Sequence, residues 1–274
     1  MSILKNKTIF ITGSSRGIGR EIALRCARAG ANIVIAAKSD QPHPKLPGTI
    51  HTVAKEVEAA GGRALAVKLD VRDDALVKTT MTQAADHFGG IDILINNAGA
   101  IRLSNVEDTP LKRYDLIHSI NDRAVLLCSQ TALPYLKKSD HGHILNLSPP
   151  LNLDPKWMKP FVPYTKTKYG MTLLTLGMAE EFRVYGIAVN SLWPRTTIAT
   201  AAIEFEVGAA VMNQSRTPAI MADAAYEILC TTGLELTGST SLDEDILRER
   251  GQTDFAQYDY LPGCTDLMTD LYVD

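Results

Sequence analysis

The chain has no Cys-x-x-Cys pair, no block of lysine or arginine, and no apolar run of the roughly 18 residues that a membrane helix needs. Each absence removes a class. The four cysteines, Cys26, Cys128, Cys230 and Cys264, are far apart in sequence, which argues against a disulfide framework and against a zinc site. Cys26 and Cys128 fall in helical patterns and read as packing residues. His141 and His143, on either side of Gly142, read as a solvated loop rather than a ligand pair, so no metal is expected. With a net charge of −3 and a pI near 6.1, the chain is a poor partner for nucleic acid or an anionic surface, and no membrane insertion is expected. The opening MSILKNKTIFITG enters a strand almost at once, so no signal peptide is expected, and the closing LYVD matches no targeting signal. The expected location is cytoplasmic. No repeat of fixed period and no low-complexity segment is present.

What the sequence does have is alternation. The short β-rich run KTIFIT (7–12) precedes a glycine turn and the helical REIALRCARAG, which ends at Gly30. NIVIAA (32–37), a polar proline-bearing loop and a helix over about 49–60 follow. Then come RALAVKLDV, a helix running through Phe88-Gly89-Gly90, and IDILINN. A helix over roughly 114–137, HILNLS, a helix bearing Tyr164, and GIAVNSLW complete the series. Continuous apolar runs between longer amphipathic stretches imply βαβ units: an α/β fold, doubly wound and Rossmann-type, with a parallel sheet covered by helices on both faces. The stretch after Asp243 is acidic and turn-rich. We read residues 1–243 as one dinucleotide-binding domain and 244–274 as a C-terminal extension, not a separate domain.

At the first strand-to-helix junction stands TGSSRGIG (12–19). Gly13, Gly17 and Gly19 let the backbone turn tightly and approach a pyrophosphate, with Ser15, Arg16 and Ile18 between them. The helix start supplies free N–H groups and partial positive charge. The spacing is G-x-x-x-G-x-G, not G-x-G-x-x-G. The second strand ends Ala36-Ala37-Lys38, without the carboxylate that an NAD site places against the ribose 2′-hydroxyl. Lys38 and Arg16 together suit a 2′-phosphate, which favours NADP(H) over NAD(H). Lys45 is a further cation in the following loop.

With these motifs in order, the chain resembles the short-chain dehydrogenases/reductases. The likeness rests on TGSSRGIG, Asp70-Val71 after the third strand, Asn96-Asn97-Ala98-Gly99 after the fourth, Asn121, and Tyr164-x-x-x-Lys168. The resemblance implies seven strands with the cofactor across their carboxyl ends. It also implies that Asp70 and Val71 meet the adenine, and that Asn97, Ala98 and Gly99 line a cofactor ribose. Asn121 would support a water linked to Lys168. Pairing of copies, as homodimer or homotetramer, is implied through the helices bearing Asn121 and Tyr164.

Tyr164 and Lys168, four apart, share one helix face. A phenol titrates ordinarily near pH ~10, and a neighbouring ammonium would bring that down, so that Tyr164 exchanges a proton with a carbonyl or alcohol oxygen while Lys168 also holds the nicotinamide ribose. Two positions depart from the family. After HILNLS the expected second serine is Pro149, which has no donor. Ser148 is therefore the candidate replacement, re-aimed by Pro149 and Pro150; alternatively it only bonds backbone at a strand end. Pro194-Arg195 stands where Pro-Gly is usual, with Thr196, Thr197 and Thr200 following; Pro194 and Thr197 are taken as cofactor contacts. Trp157, Met158 and Phe161 suggest an apolar pocket wall suited to a lipid- or steroid-like substrate, or else packing. The reading is an NADP(H)-dependent oxidoreductase acting on a carbonyl or secondary alcohol. The alternative is a cofactor-binding protein of the same fold with little turnover, acting as a sensor or assembly partner.

Overall fold

The structure, a computed structural model, describes residues 2–44 and 46–274; Lys45 lies outside the described residues. Seven strands form one parallel sheet: β1 (Thr8–Thr12), β2 (Asn32–Ala37), β3 (Arg63–Lys68), β4 (Ile93–Asn96), β5 (His143–Asn146), β6 (Ala188–Trp193) and β7 (Thr240–Leu242), in the order β3-β2-β1-β4-β5-β6-β7. Side chains alternate across a strand, so a strand buried on both sides must be apolar throughout. In β1, Ile9 and Ile11 enter the core that contains Ile22, Cys26, Ile33, Ile220 and Ile228. Phe10 enters the opposite core with Val34, Met81, Cys128 and Met171. All five β1 residues are buried.

Around the sheet run α1 (Gly17–Arg28), α2 (Ile50–Ala59), α3 (Asp74–Phe88), α4 (Leu111–His118), α5 (Ala124–Leu136), α6 (Pro155–Met158), α7 (Val162–Glu181), α8 (Ala201–Glu206), α9 (Ala209–Met212), α10 (Ala219–Leu229) and α11 (Asp243–Glu249). Local chemistry fixes several starts. Thr49 and Thr52 form a reciprocal capping box at α2, and the Asp73 carboxylate accepts from Leu76 N at α3. At α1 the N-cap is Arg16, whose side chain makes no cap bond, leaving the first amides open to a ligand.

Two features differ from the sequence reading. The helix expected over roughly 114–137 starts at Leu111 and is interrupted by a π-helical turn, Ser119–Arg123. That turn carries Asn121 inward, where it is fully buried. His141 and His143 are not solvated: both are buried, with rings 4.5 Å apart, because His143 is the first residue of β5, paired with Ile93 and Ala188. The acidic C-terminal stretch is ordered onto the rest of the chain, with α11 against α10 and an antiparallel bridge between Thr269 and Thr196. Among the described residues no helix is long and apolar enough to cross a membrane.

Candidate active site

Strand order reverses between β1 and β4, so α1 and α5 pack on opposite faces of the sheet and a crevice opens at the strands' carboxyl ends. Thr12 locks the two loops. Its Oγ1 accepts the N–H groups of Asn97 and Ala98, each at 3.0 Å, and Asn97 Nδ2 donates to the carbonyls of Thr12 (2.8 Å) and Gly13 (3.1 Å). A Cβ on Gly13, which has φ +69°, would stand 2.8 Å from Ala98 Cα, and one on Gly19 would overlap Asn97 Nδ2. These glycines are therefore dictated by the asparagine loop. Gly17, at φ +56°, faces Thr200 across the loop, with the Thr200 methyl 3.5 Å from where a Cβ would be. Ser15 is buried, and Ile18 packs half-buried on the core.

At the end of β2, Lys38 is exposed. Arg16 does not project freely. Its guanidinium donates to the carbonyls of Pro47 (2.9 Å) and Gly48 (3.2 Å) and to Ser39 Oγ (2.9 Å), tying down the proline-bearing loop. Asp40, the acid nearest the strand end, is turned onto Lys68 of β3 at 2.9 Å. Asp70 is likewise engaged: Arg72 donates to both its oxygens, at 2.9 and 2.6 Å, and holds the carboxyl below the ordinary range. Val71 beside it is buried.

α7 presents Tyr164 and Lys168, with residual exposures of 2% and 7%. Lys168 Nζ donates to Leu147 O at 2.9 Å and lies near Gly99, 3.9 Å from where its Cβ would be. Asn121 supports the same corner. Its Oδ1 accepts from Ala100 N (2.8 Å), while Nδ2 donates to Ala100 O and to Thr167 Oγ1, both at 3.0 Å. The structure thus brings Gly99, Asn121, Tyr164 and Lys168 together. The Tyr164 hydroxyl has no hydrogen-bond partner among the described residues. The expected lowering of its phenol by Lys168 is not what this geometry gives: burial pushes Tyr164 well above its ordinary value, helped by Tyr272 and Asp270, and pushes Lys168 down to about 8.

Ser148 is fully buried and bonded on the helix side: its hydroxyl oxygen lies 3.1 Å from Thr172 Oγ1, and the Thr172 hydroxyl also donates to Pro149 O at 2.7 Å. Thr172 lies one turn beyond Lys168, and among the described residues no hydrogen bond joins Ser148 to the phenol. Thr197 is also occupied, its Oγ1 at 2.8 Å from Ser215 Oγ and its N–H donating to Met268 O at 2.9 Å. The open group in this loop is the buried Thr196 Oγ1, which has no partner among the described residues. Pro194 is buried, and the cation of Arg195 turns away from the crevice onto Asp245.

The supposed pocket wall packs on the chain's own end. Tyr272, 1% exposed, is surrounded by Trp157 (5.9 Å between ring centres), Phe161 (6.2 Å), Tyr169 (5.1 Å) and Trp193 (6.1 Å), and its hydroxyl donates to Thr165 Oγ1 at 3.2 Å. Asn152 and Trp193 bond the carbonyls of Tyr272 and Leu271. Sequence reasoning missed Thr172, Asp270 and Tyr272. The one available signal was aromatic and aliphatic residues, LYV, in an otherwise acidic end.

Open amides at the start of α1, a turn whose glycines carry no side chains of their own, and an unbonded Thr196 hydroxyl fit a nicotinamide dinucleotide lying across the crevice. Tyr164 and Lys168 share the α7 helix beside that crevice. A family model described as short chain dehydrogenase matches residues 7–206, and the chain belongs to that family of oxidoreductases. It is 54% identical to hydroxysteroid dehydrogenase-like protein 2 of Mus musculus over 97% of its length, and 52% identical to the Homo sapiens protein of that name. It spans only 54% and 63% of those two relatives. A short chain dehydrogenase from Mycobacterium thermoresistibile superposes with a TM-score of 0.93 at 52% identity, over 99% of this chain and 96% of that one. A Xanthomonas campestris structure gives 0.95 at 47% identity, over 99% of both chains.

Proposed function

We propose that the protein is an NADP(H)-dependent oxidoreductase that interconverts a carbonyl and a secondary alcohol. The observation that carries this reading is the pair itself: a phenol with no protein partner, and an ammonium held at 2.9 Å by Leu147 O beside Gly99. When bound, the nicotinamide supplies or accepts the hydride. Tyr164 delivers its proton to the carbonyl oxygen in reduction and takes it back in oxidation. Lys168 carries the positive charge that stabilises the phenolate in that exchange and donates to the nicotinamide ribose. Asn121 fixes the Ala100 backbone and the Thr167 hydroxyl of α7 to each other, so the pair keeps its position relative to the cofactor crevice. Tyr164 is then the carbonyl donor without help from Ser148. In the loop after β6, Thr196 takes the role that the sequence gave to Thr197.

A preference for the 2′-phosphorylated cofactor is supported by Lys38 and Arg16 at the end of β2 and by the pairing of Asp40 with Lys68. An apolar substrate is supported by Leu151 and Leu153, exposed in the loop after Pro150. Exposed Leu126 on α5, with Leu173 and Leu176 on α7, supports pairing of copies through those helices.

The test is NADPH consumption over aldehydes, ketones and acyl-chain carbonyls, run beside Tyr164→Phe. Turnover that survives in Tyr164→Phe would place the acid elsewhere. The second reading, a cofactor binder with little turnover, draws on Ser148 being bonded to Thr172 and on the near-complete burial of Tyr164. Tight NADPH binding with no consumption across the screen would select it. Equal dissociation constants for NADPH and NADH would remove the cofactor preference.

A further inference from the structure

The indole of Trp193 stands over the amine of Lys168. Trp193 is the last residue of β6, 8% exposed, and its ring centre lies 5.1 Å from Lys168 Nζ. The ring is fixed from two sides. Its Nε1–H donates to Leu271 O at 3.0 Å, and the Tyr272 ring packs beside it at 6.1 Å between centres. The backbone is held as well: Trp193 pairs with Leu242 of β7, and Thr196 just beyond bridges to Thr269. A cation within about 6 Å of an indole centre is drawn to the π electrons of its face, most strongly where water is excluded. Lys168, 7% exposed, meets that condition.

The bonding partners of Lys168 carry no charge. Its Nζ donates to Leu147 O at 2.9 Å and lies 3.7 Å from Met171 Sδ, and among the described residues it forms no ion pair. A buried amine with neutral partners tends to lose its proton. We propose that Trp193 is a positioning residue for the catalytic pair: its indole face holds the Lys168 side chain in place and keeps it in the ammonium form on which proton transfer through Tyr164 depends. The proposal rests on the oxidoreductase reading above and adds to it a residue that acts through Lys168.

Other elements also face this amine. Leu147 O comes from the loop after β5, Gly99 from the loop after β4, and Tyr164 and Met171 from α7 itself. Asp270, in the segment that holds Trp193, is the one carboxylate whose charge acts on Lys168. Burial raises Asp270 to about 7, so its charge varies near neutral pH, whereas the indole face is the same at every pH. Burial lowers Lys168 to about 8, so the loss of one favourable contact changes its charge state in the same range.

The test uses the full chain labelled with 13C-lysine, following the Lys168 Cε signal, assigned with Lys168→Arg, as pH is raised. Trp193→Leu removes the π face, so the Lys168 midpoint should fall by about half a pH unit or more. Trp193→Phe restores a face without the N–H and should recover most of that fall. If Trp193→Leu does not fold, ring-fluorinated tryptophan in the otherwise unchanged chain is read instead. Fluorine withdraws charge from the face while the indole shape and N–H remain, so the midpoint should fall further with each fluorine added. The other tryptophan, Trp157, is controlled by repeating the series in Trp157→Phe. An unmoved midpoint in Trp193→Leu or in the fluorinated series overturns the proposal. So does a fall of equal size in Trp193→Phe, which would assign the effect to the lost bond with Leu271. The alkaline limb of NADPH-dependent reduction should shift to lower pH with the midpoint. A shifted midpoint in a chain that reduces no carbonyl upholds the action of Trp193 on Lys168 and defeats the oxidoreductase reading instead.

Discussion

Removing the Tyr164 hydroxyl while keeping its ring leaves the aromatic packing around Tyr272 in place and breaks no protein hydrogen bond, because that hydroxyl has no partner among the described residues. Tyr164→Phe is therefore expected to abolish turnover while NADPH affinity, read by fluorescence titration, stays within about twofold. Ser148→Ala is a different case. Its hydroxyl bonds Thr172 inside the protein, so its loss should cost about 1 kcal/mol in urea unfolding and less than about threefold in kcat. An oxyanion donor would instead cost about 10²-fold, and a fall of that size would return Ser148 to the carbonyl. Residue types were legible here from spacing, as with Tyr164 and Lys168. Orientation was not, because the Ser148 rotamer depends on Thr172, a residue 24 positions away.

At the scale of elements, the β1–α1 turn and the asparagine loop after β4 are one unit held through Thr12 and Asn97. Gly19→Ala drives a methyl into the Asn97 amide, so we expect cofactor affinity to fall at least about tenfold and stability to drop by about 1–3 kcal/mol, both measurable on the same preparation. Unchanged binding would mean that the asparagine loop yields freely. Asn121→Ala removes three bonds that join Ala100 to α7 and leaves the half-buried Ala100 backbone groups without that partner, a loss of about 1–3 kcal/mol in urea unfolding. The strands and the glycine turn were readable from local pattern. The π-helical turn at Asn121 was not: its apolar pattern continues through both flanking helices, and the extra residue is accommodated only because Ala100 waits across the crevice.

For the whole molecule, the sheet interior makes a specific pH dependence. Burial in β5, aided by His141, pushes His143 down from its ordinary 6.5 to about 3. Between those values the unfolded chain binds a proton that the folded chain does not, so this group's contribution to stability is present above about 6.5 and is lost as pH falls toward 3. Asp243 and Asp270, raised by burial to about 7, act in the opposite sense over the acid side of that value. His143→Gln isolates the histidine: between pH 7 and 4.5 its stability should gain about 2 kcal/mol relative to the parent chain. Parallel pH curves would mean that the ring is already protonated in the fold. The C-terminal segment has its own consequence. Tyr272→Ala empties the centre of an aromatic cluster that contains Tyr164 and should cost about 3–5 kcal/mol, with loss of turnover well below the midpoint of unfolding.

The sequence by itself determined the alternating architecture, the crevice-forming glycines, and the identity of the tyrosine, lysine and asparagine that meet there. All but the asparagine, which the family resemblance supplies, follow from periodicity, helix geometry and short spacings, which act over a few residues. Only the tertiary structure decided how those groups are used. It turned Ser148 onto Thr172, tied Arg16 to its own loop, buried His143 between β4 and β6, and laid Tyr272 against α7. In each case the deciding partner lies far off in sequence, and whether a polar group is bonded, charged or buried is set by what folds against it.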